Sequence, residues 1–548
     1  MPYQHPYCVR LFLLGLILTI AACEGNIETN IETRSNANTY IPDDNTDIPG
    51  DDTSDQEDNP IDIAQPANFR TTATRSTSVS LAWDVVEEAG YYQLHRDEIP
   101  IAVPLAAQTS LTDRGLVAGE SYSYALAACK SGTYDCSSQT RLSVTLPKRL
   151  NDTGLTRGGD YPAGNRNGND CDGTDDTGAN LPSQDCHHGR DATHNDDSDG
   201  HAGFSFTKLD SNGNELPAGA TRWNCVRDNV TGLIWEVKQD KNDRAGDSLH
   251  DADDSYTWYS TDFTNNHGRV GYVNRRGDIC YGYDVNDSAT FCNTQAFVAR
   301  VNAQGLCGLN NWRLPIRDEL RGIVSNNHAN PAIDTNYFPN TLPDDYYLST
   351  PNAHNTNYAS GVYFSFGSAF YAERFSGQWA RLVSGVKPAT GATATAASGQ
   401  TVVPNILNYW PDSRYREHND GTATDTQTGL MWKVCSQGQT WSNGACSGDA
   451  SGMSWQAALE AGENESYAGY DDWRLPNAKE LISLAALDRY TPAINANVFP
   501  NTASRLYWTS SPSITDNRRS RYVSFDSGHE NFLYRFIDYR VRLVRGGQ

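Results

Sequence analysis

The sequence predicts a multidomain chain, one all-β sandwich followed by two copies of a single α+β domain. Three observations predict it. Short alternating apolar runs separated by turn residues fill residues 66–147. Trp-Arg-Leu-Pro occurs twice, as Trp312-Arg313-Leu314-Pro315 and Trp473-Arg474-Leu475-Pro476. The 161-residue offset between the two then persists without a gap, pairing Pro331 with Pro492, Phe338 with Phe499, Tyr346 with Tyr507, Phe364 with Phe525 and Arg381 with Arg542. A register of that length is duplication, not a chance motif.

Residues 1–22 read as a signal peptide, with Arg10 ahead of the apolar run Leu11–Ile20. That run is too short to span a membrane comfortably. It ends in Ile20-Ala21-Ala22-Cys23, which resembles the lipobox of bacterial lipoproteins. The resemblance implies diacylation at Cys23, a membrane partner reached through that lipid, and residence in the cell envelope. Glu24 after the cysteine favours the outer membrane or cell surface. Residues 23–65 read as an acidic disordered tether: from 24 to 65 twelve Asp or Glu face one Arg, and Tyr40 is the only aromatic residue. Such a segment buries too little apolar surface to offset its ordering entropy. The net charge of −24 argues against a general nucleic-acid binder.

Ten cysteines remain once Cys8 and Cys23 are set aside, and an even number in an exported chain points to disulfides. Local pairing gives Cys129–Cys136, Cys171–Cys186, Cys280–Cys292 and Cys435–Cys446, which leaves Cys225–Cys307. The sequence by itself leaves the connectivity open. No CxxC pair is present, which argues against a zinc ribbon or a thioredoxin-like site.

In residues 66–147, Val79, Leu81 and Trp83 alternate with polar neighbours, as do Tyr92 and Leu94. Leu116, Gly119 and Tyr122 read as a turn that enters the next strand. With Trp83 these residues sit at the landmarks of a fibronectin type III domain, which the segment resembles. In such chains that domain implies spacing.

The first duplicated domain is assigned to residues 150–388, with an Asp/Asn-rich leading segment. There, Asn195, Asp197 and Asp199 followed by Gly200 have the oxygen spacing of the first half of a calcium loop. Position twelve is Phe206, which excludes a complete EF-hand. Two readings stay open, a solvated Asx-rich turn and a loop held by structural calcium, the sole cofactor the sequence offers. Asp210, Asn212 and Asn214 repeat the pattern more weakly, and His187, His188, His194 and His201 lack metal-ligand spacing.

Each copy opens on one phrase, Asp228 to Trp235 and Asp425 to Trp432. From that Trp to Trp-Arg-Leu-Pro the first copy is 36 residues longer, which places an insertion in 240–291. Helical patterns follow at Ala296–Val298 and Ala457–Leu459. A second helix is expected to start at Pro315 and Pro476, with Glu319 and Glu480 in its first turn. The closing third reads as strands, the last over Tyr539–Val544. Residues 389–404 read as a linker and 405–548 as the second copy.

These phrases together resemble the C-terminal domain of the Legionella collagen-like adhesin, the Lcl C-terminal domain family. The resemblance rests on Phe204-Ser-Phe-Thr-Lys-Leu-Asp, Cys225-Val-Arg-Asp-Asn, Cys307-Gly and the closing Arg-Leu-Val-Arg-Gly-Gly. It implies a C-type-lectin-like α+β fold, surface display and ligand binding; the type adhesin binds sulfated glycosaminoglycans. This chain has no collagen-like stalk and is acidic, so neither sugar specificity nor trimerisation carries over.

Trp-Arg-Leu-Pro itself reads as structural: Trp in the core, Arg paired with a nearby Glu or carbonyl, Pro starting a helix. The sharpest candidate surface lies near the C-terminus, where seven Arg fall between 518 and 545. Arg518, Arg519, Arg521, Arg535 and Arg540, with Tyr522 and Tyr534 between them, offer guanidinium forks and stacking rings to an anionic glycan. Three function classes follow. The first is a lipid-anchored adhesin-like binder of a polysaccharide or surface protein. The second is a structural or protein-binding envelope scaffold. The third is an enzyme of the formylglycine-generating type, disfavoured because its active-site Cys pair is not found. The expectation is a non-enzyme whose ligand contacts lie where the copies differ.

Overall fold

Seven antiparallel strands open the fold in the computed structural model. It describes residues 63–546 apart from 76–77, 115, 117–119, 133–134, 147–149, 160–166, 171–182, 195, 240, 243 and 276–278. The strands are β1 (Arg70–Arg75), β2 (Ser78–Ala82), β3 (Tyr91–Arg96), β4 (Ile99–Ala102), β5 (Ser110–Arg114), β6 (Ser121–Cys129) and β7 (Thr140–Thr145). They form two sheets, β1-β2-β5 and β4-β3-β6-β7, a β-sandwich. The alternation read in the sequence is the packing: Val79, Leu81, Trp83, Tyr92 and Leu94 all point inward. The Trp83 and Tyr92 rings meet edge to face at 5.4 Å.

The two copies repeat one plan that is mostly β. The first holds a sheet of β8 (Phe206–Leu209), β9 (Cys225–Asp228), β10 (Ile234–Glu236) and β14 (Val383–Ser384). Between β10 and β14 come helix α1 (Thr294–Gln304), the short helix α2 (Arg317–Gly322) and a second sheet. That sheet is β11 (Asp345–Pro351), β12 (Tyr358–Tyr363) and β13 (Ser368–Glu373). The second copy answers with β15 (Tyr415–Glu417), β16 (Thr422–Asp425), β17 (Met431–Lys433) and β21 (Val544–Arg545). Its helices are α3 (Trp455–Glu463) and α4 (Ala478–Leu484), and its second sheet is β18 (Leu506–Pro512), β19 (Arg519–Ser524) and β20 (Glu530–Tyr534). Trp235 and Trp432 are fully buried at equivalent places in the two cores.

The repeated phrase works as a clasp. Trp312 and Trp473 are buried, and each indole N–H donates to a carbonyl six residues back, Leu306 at 3.1 Å and Tyr467 at 3.0 Å. Arg313 grips both oxygens of Glu319 at 2.7 Å, and Arg474 grips those of Glu480 at 2.7 and 2.6 Å. The same carboxylates accept the N–H of Ile316 and Asn477, which precede the helices. In the second copy Asn477 also accepts from the Glu480 N–H, completing a capping box.

Two expectations need correction. Pro315 and Pro476 lie one residue before the N-cap, not in the first turn. Their carbonyls accept from Ser349 and Ser510, which ties the helix start to the second sheet. Tyr539–Val544 is not one strand. Tyr539 and Arg540 make single bridges to Met453 and Tyr507, and regular pairing begins only at Val544. Disulfides join Cys129–Cys136, Cys225–Cys307, Cys280–Cys292 and Cys435–Cys446. Cys186 is also disulfide-bonded, whereas Cys171 lies outside the described residues. The expected linker is docked on the second copy: Thr401–Val402 pairs with Arg489–Tyr490. Among the described residues no helix is long and apolar enough to cross a membrane.

Candidate functional site

The two copies pack through equivalent parts. Arg317, at the start of α2, donates to the last carbonyls of α4, Ile482 at 2.6 Å and Ala485 at 2.7 Å. Lys479, at the start of α4, donates to the Gly322 carbonyl that ends α2, at 2.8 Å. The start of each helix thus donates to carbonyls at the end of the other, as in a self-complementary interface between identical subunits. The Arg321–Glu530 ion pair crosses the same seam at 2.6 Å, both side chains buried.

Beside these helices, β13 of the first copy lies along β20 of the second, and a groove of about 1030 Å³ opens over them. Its floor and walls come from corresponding segments, 366–371 and 527–532. Tyr363, Phe366, Phe370, Tyr371 and Phe532 supply rings. Tyr363 holds Phe366 and Phe370 edge-on, at 5.7 and 6.5 Å between centroids. Phe366 is exposed in the turn that precedes β13, and Phe370 is half-buried on that strand, whose solvent-facing side shows every second side chain. The Phe532 ring lies on the Arg521 guanidinium at 4.3 Å. Tyr371 donates its hydroxyl to the Ser527 carbonyl, which fixes that ring across the seam.

Among the described residues the polar groups of the groove are amides, hydroxyls, imidazoles and acids, with neither Lys nor Arg in its lining. Asn352 is committed, its side-chain oxygen accepting the N–H of His354 and Asn355. Burial, reinforced by the Asp344 charge, raises the Asp345 carboxyl to about 6. Burial pushes His529 below the usual imidazole range, and its Nδ1 meets the Ser527 hydroxyl at 2.5 Å. The arrangement offers stacking faces and neutral or negative hydrogen-bonding partners to a polar ligand.

The arginine surface read from the sequence does not hold together as one face. Arg521 and Arg535 are buried. Arg521 donates to the Phe366 carbonyl at 2.6 Å, and Arg535 lies over Trp455 at 4.4 Å. Arg519 and Arg521 do share a side of β19, as alternation predicts, but the first copy covers Arg521. Arg518 and Arg519 remain exposed, stacked on Tyr534 at 5.6 and 4.7 Å, and both pair with Asp516. Arg540 is half-buried, Tyr522 is buried beside Tyr539, and Arg542 bonds core carbonyls. No continuous basic cleft results.

Of the calcium-loop residues, Asn195 lies outside the described residues. The Asp197 carboxylate accepts from His201 at 3.1 Å and from the Ala202 N–H at 3.2 Å, and Asp199 accepts from the Ser205 hydroxyl at 2.5 Å. Those bonds are turn closures. Cys23 also lies outside the described residues. The sequence reading missed the groove because it searched where the copies differ, whereas the groove is built where they correspond. The one available signal was Tyr371 and Phe532, rings that stand at the shared 161-residue offset.

Comparison with known proteins adds the family. A curated relative, a poly(3-hydroxybutyrate) depolymerase of Ralstonia pickettii, is 34% identical over 91 residues, 17% of this chain and 18% of that protein. The chain therefore spans less than a fifth of that relative. Among solved structures, FN3tt is 20% identical and is matched over 15% of this chain and 94% of its own, with a TM-score of 0.14. An Fn3-like protein from Clostridium thermocellum is 21% identical over 16% and 95%, also with a TM-score of 0.14. The sandwich rests on its own strand order and not on these likenesses. The family model of the Lcl C-terminal domain matches residues 224–384 and 421–545, the two copies in turn. With more than half of its length so matched, the chain belongs to the Lcl C-terminal domain family.

Proposed function

We propose that this protein is a lipid-anchored envelope adhesin whose tandem domains act as one binding unit for a carbohydrate. The observation that carries the reading is the groove at the seam. Accessible Phe366, Phe370 and Phe532 offer apolar ring faces, and the Asn and Asp side chains around them match sugar hydroxyls. A lining without cations favours a neutral glycan over a sulfated one. Attachment through Cys23, display on the outer membrane or cell surface, the C-type-lectin-like ancestry of the two copies, and binding without turnover belong to the same proposal. The sandwich then serves as the spacer below the binding unit.

The test is binding of the full chain to an array that carries neutral, carboxylated and sulfated glycans. Phe366→Ala and Phe532→Ala are expected to weaken a neutral hit by about tenfold each, roughly 1.4 kcal/mol. Arg518→Ala with Arg519→Ala is expected to leave it unchanged. Binding confined to sulfated glycans and lost in the arginine variant would reject the groove. An array without any hit, beside capture of an envelope protein, would favour the scaffold reading.

A further inference from the structure

The segment ahead of the first matched stretch holds three carboxylates that the groove does not use. Asp152, Asp185 and Asp191 are 1%, 2% and 1% exposed. One carboxylate oxygen of each lies within 4.8 Å of the other two. Main-chain and side-chain donors fix their orientation. Asp152 Oδ1 accepts the Thr153 N–H at 2.9 Å and the Asn477 amide at 3.0 Å, and its Oδ2 accepts the Asp191 N–H at 2.9 Å. Asp191 Oδ2 accepts from the Thr153 hydroxyl and the Leu155 N–H, both at 2.9 Å, and its Oδ1 from the Gly203 N–H at 3.2 Å. Asp185 Oδ2 accepts from the Ser511 hydroxyl.

Two further observations point to a missing partner. Asp185 Oδ1 is buried and has no donor. The neighbouring Thr153 hydroxyl has a single proton, which goes to Asp191. Asn326 donates its backbone N–H to the Thr153 carbonyl at 2.7 Å, yet neither the oxygen nor the nitrogen of its buried amide is bonded. A native interior leaves few such atoms unmatched, and each calls for a partner. Positive charge nearby is short. Lys479 turns its ammonium to two backbone carbonyls, Asp152 and Gly322, and Arg474 is held by Glu480. The Lys479 charge acts on Asp152 and Asp191, and Asp185 feels only Arg474 and Arg521, both committed to other partners. Burial pushes all three carboxyls above the ordinary range.

We propose that Asp152, Asp185 and Asp191 form a binding site for a divalent cation of the calcium type. Calcium takes oxygen ligands at about 2.3–2.6 Å, so that opposite ligands stand about 4.6–5.2 Å apart. Three carboxylates within 4.8 Å of one another fit that sphere, with the remaining positions filled by carbonyls, the Asn326 amide or water. The ion stitches together the ends of the leading segment, 152 with 185 and 191. Through Asn477 and Ser511 it seats that segment on the second copy. The site differs from the Asx loop at 195–199 and lies outside both family-matched stretches.

The test is calorimetric titration of CaCl2 into chelator-stripped full chain, with thermal unfolding alongside. Saturable binding in roughly the 0.1–1 mM range of extracellular calcium modules, together with a raised Tm, is expected. Asp185→Asn, which keeps an acceptor for Ser511, is expected to weaken binding by at least about tenfold. Asp197→Asn with Asp199→Asn is expected to leave it intact. Should Asp185→Asn not fold, Asp152→Asn serves as the second variant. Absence of calcium heat and of any Tm change in the wild-type chain overturns the proposal. So does calcium binding lost only in the 197/199 variant, or a stronger response to MgCl2 than to CaCl2.

Discussion

Arg321 and Glu530 belong to different copies of the duplicated domain, yet they form one buried ion pair, Nε to Oε1 at 2.6 Å. Removing one partner strands a charge in a low-dielectric interior. Arg321→Met is therefore expected to destabilise the fold by about 3–5 kcal/mol, and Arg321→Met with Glu530→Met to recover only part of the loss, because buried Arg521, 3.8 Å from Glu530, then loses its carboxylate. Urea unfolding of the four variants in a double-mutant cycle measures both. An additive double variant would show that the pair is not coupled.

The two clasps are not equally buried, and they should not fail equally. Glu480 is fully enclosed and holds an Arg474 side chain that is 9% exposed, whereas Arg313 is 19% exposed. Gln in place of Glu leaves the guanidinium without its charge partner, at a cost of about 3 kcal/mol or more where water is excluded. Glu480→Gln is expected to lower Tm more than Glu319→Gln, as read by calorimetry.

Cys225–Cys307 closes the longest loop among the described disulfides, 82 residues. Loop-closure entropy assigns such a bridge about 4.5 kcal/mol. Cys225→Ser with Cys307→Ser is expected to lose about that much in denaturant unfolding. The Cys129–Cys136 double serine variant, which opens a loop of only 7, should lose less.

Asp345 gives the groove a pH response. Its carboxyl is raised to about 6 by burial and by Asp344, above the usual 3.8. The folded protein therefore holds this proton more tightly than the unfolded chain. The stabilisation is full below pH 3.8 and fades as pH rises through about 6. Asp345→Asn is expected to flatten the stability profile between pH 4 and 6, measured by Tm across that range. A profile that keeps its slope would assign the titration to another group.

The duplication, the sandwich and the structural role of Trp-Arg-Leu-Pro were legible in the sequence because each is written in spacing. Trp83 alternates, Trp312 and Trp473 stand 161 apart, and Glu follows Arg by six residues in both copies. The groove was not legible, since Phe366 and Phe532 become neighbours only when the two copies pack, and no local period encodes that approach. The arginines misled for the same reason. Arg521 looks like its neighbour Arg519 along the strand, and only the covering Phe366 turn separates a buried side chain from an exposed one. Asp152 and Asp185 were equally hidden, being two among many acids in a polar stretch until their burial singles them out.

The reciprocal helix ends carry a consequence for how such a chain is inherited and cut. Arg317 answers Ile482, and Lys479 answers Gly322. A recombination boundary near residue 400 would separate two sequences that each match the family, but neither fragment would be a finished object. Each would expose the last carbonyls of one helix, a lone charge and half of a groove. The unit of duplication is thus smaller than the unit that natural selection can now move intact.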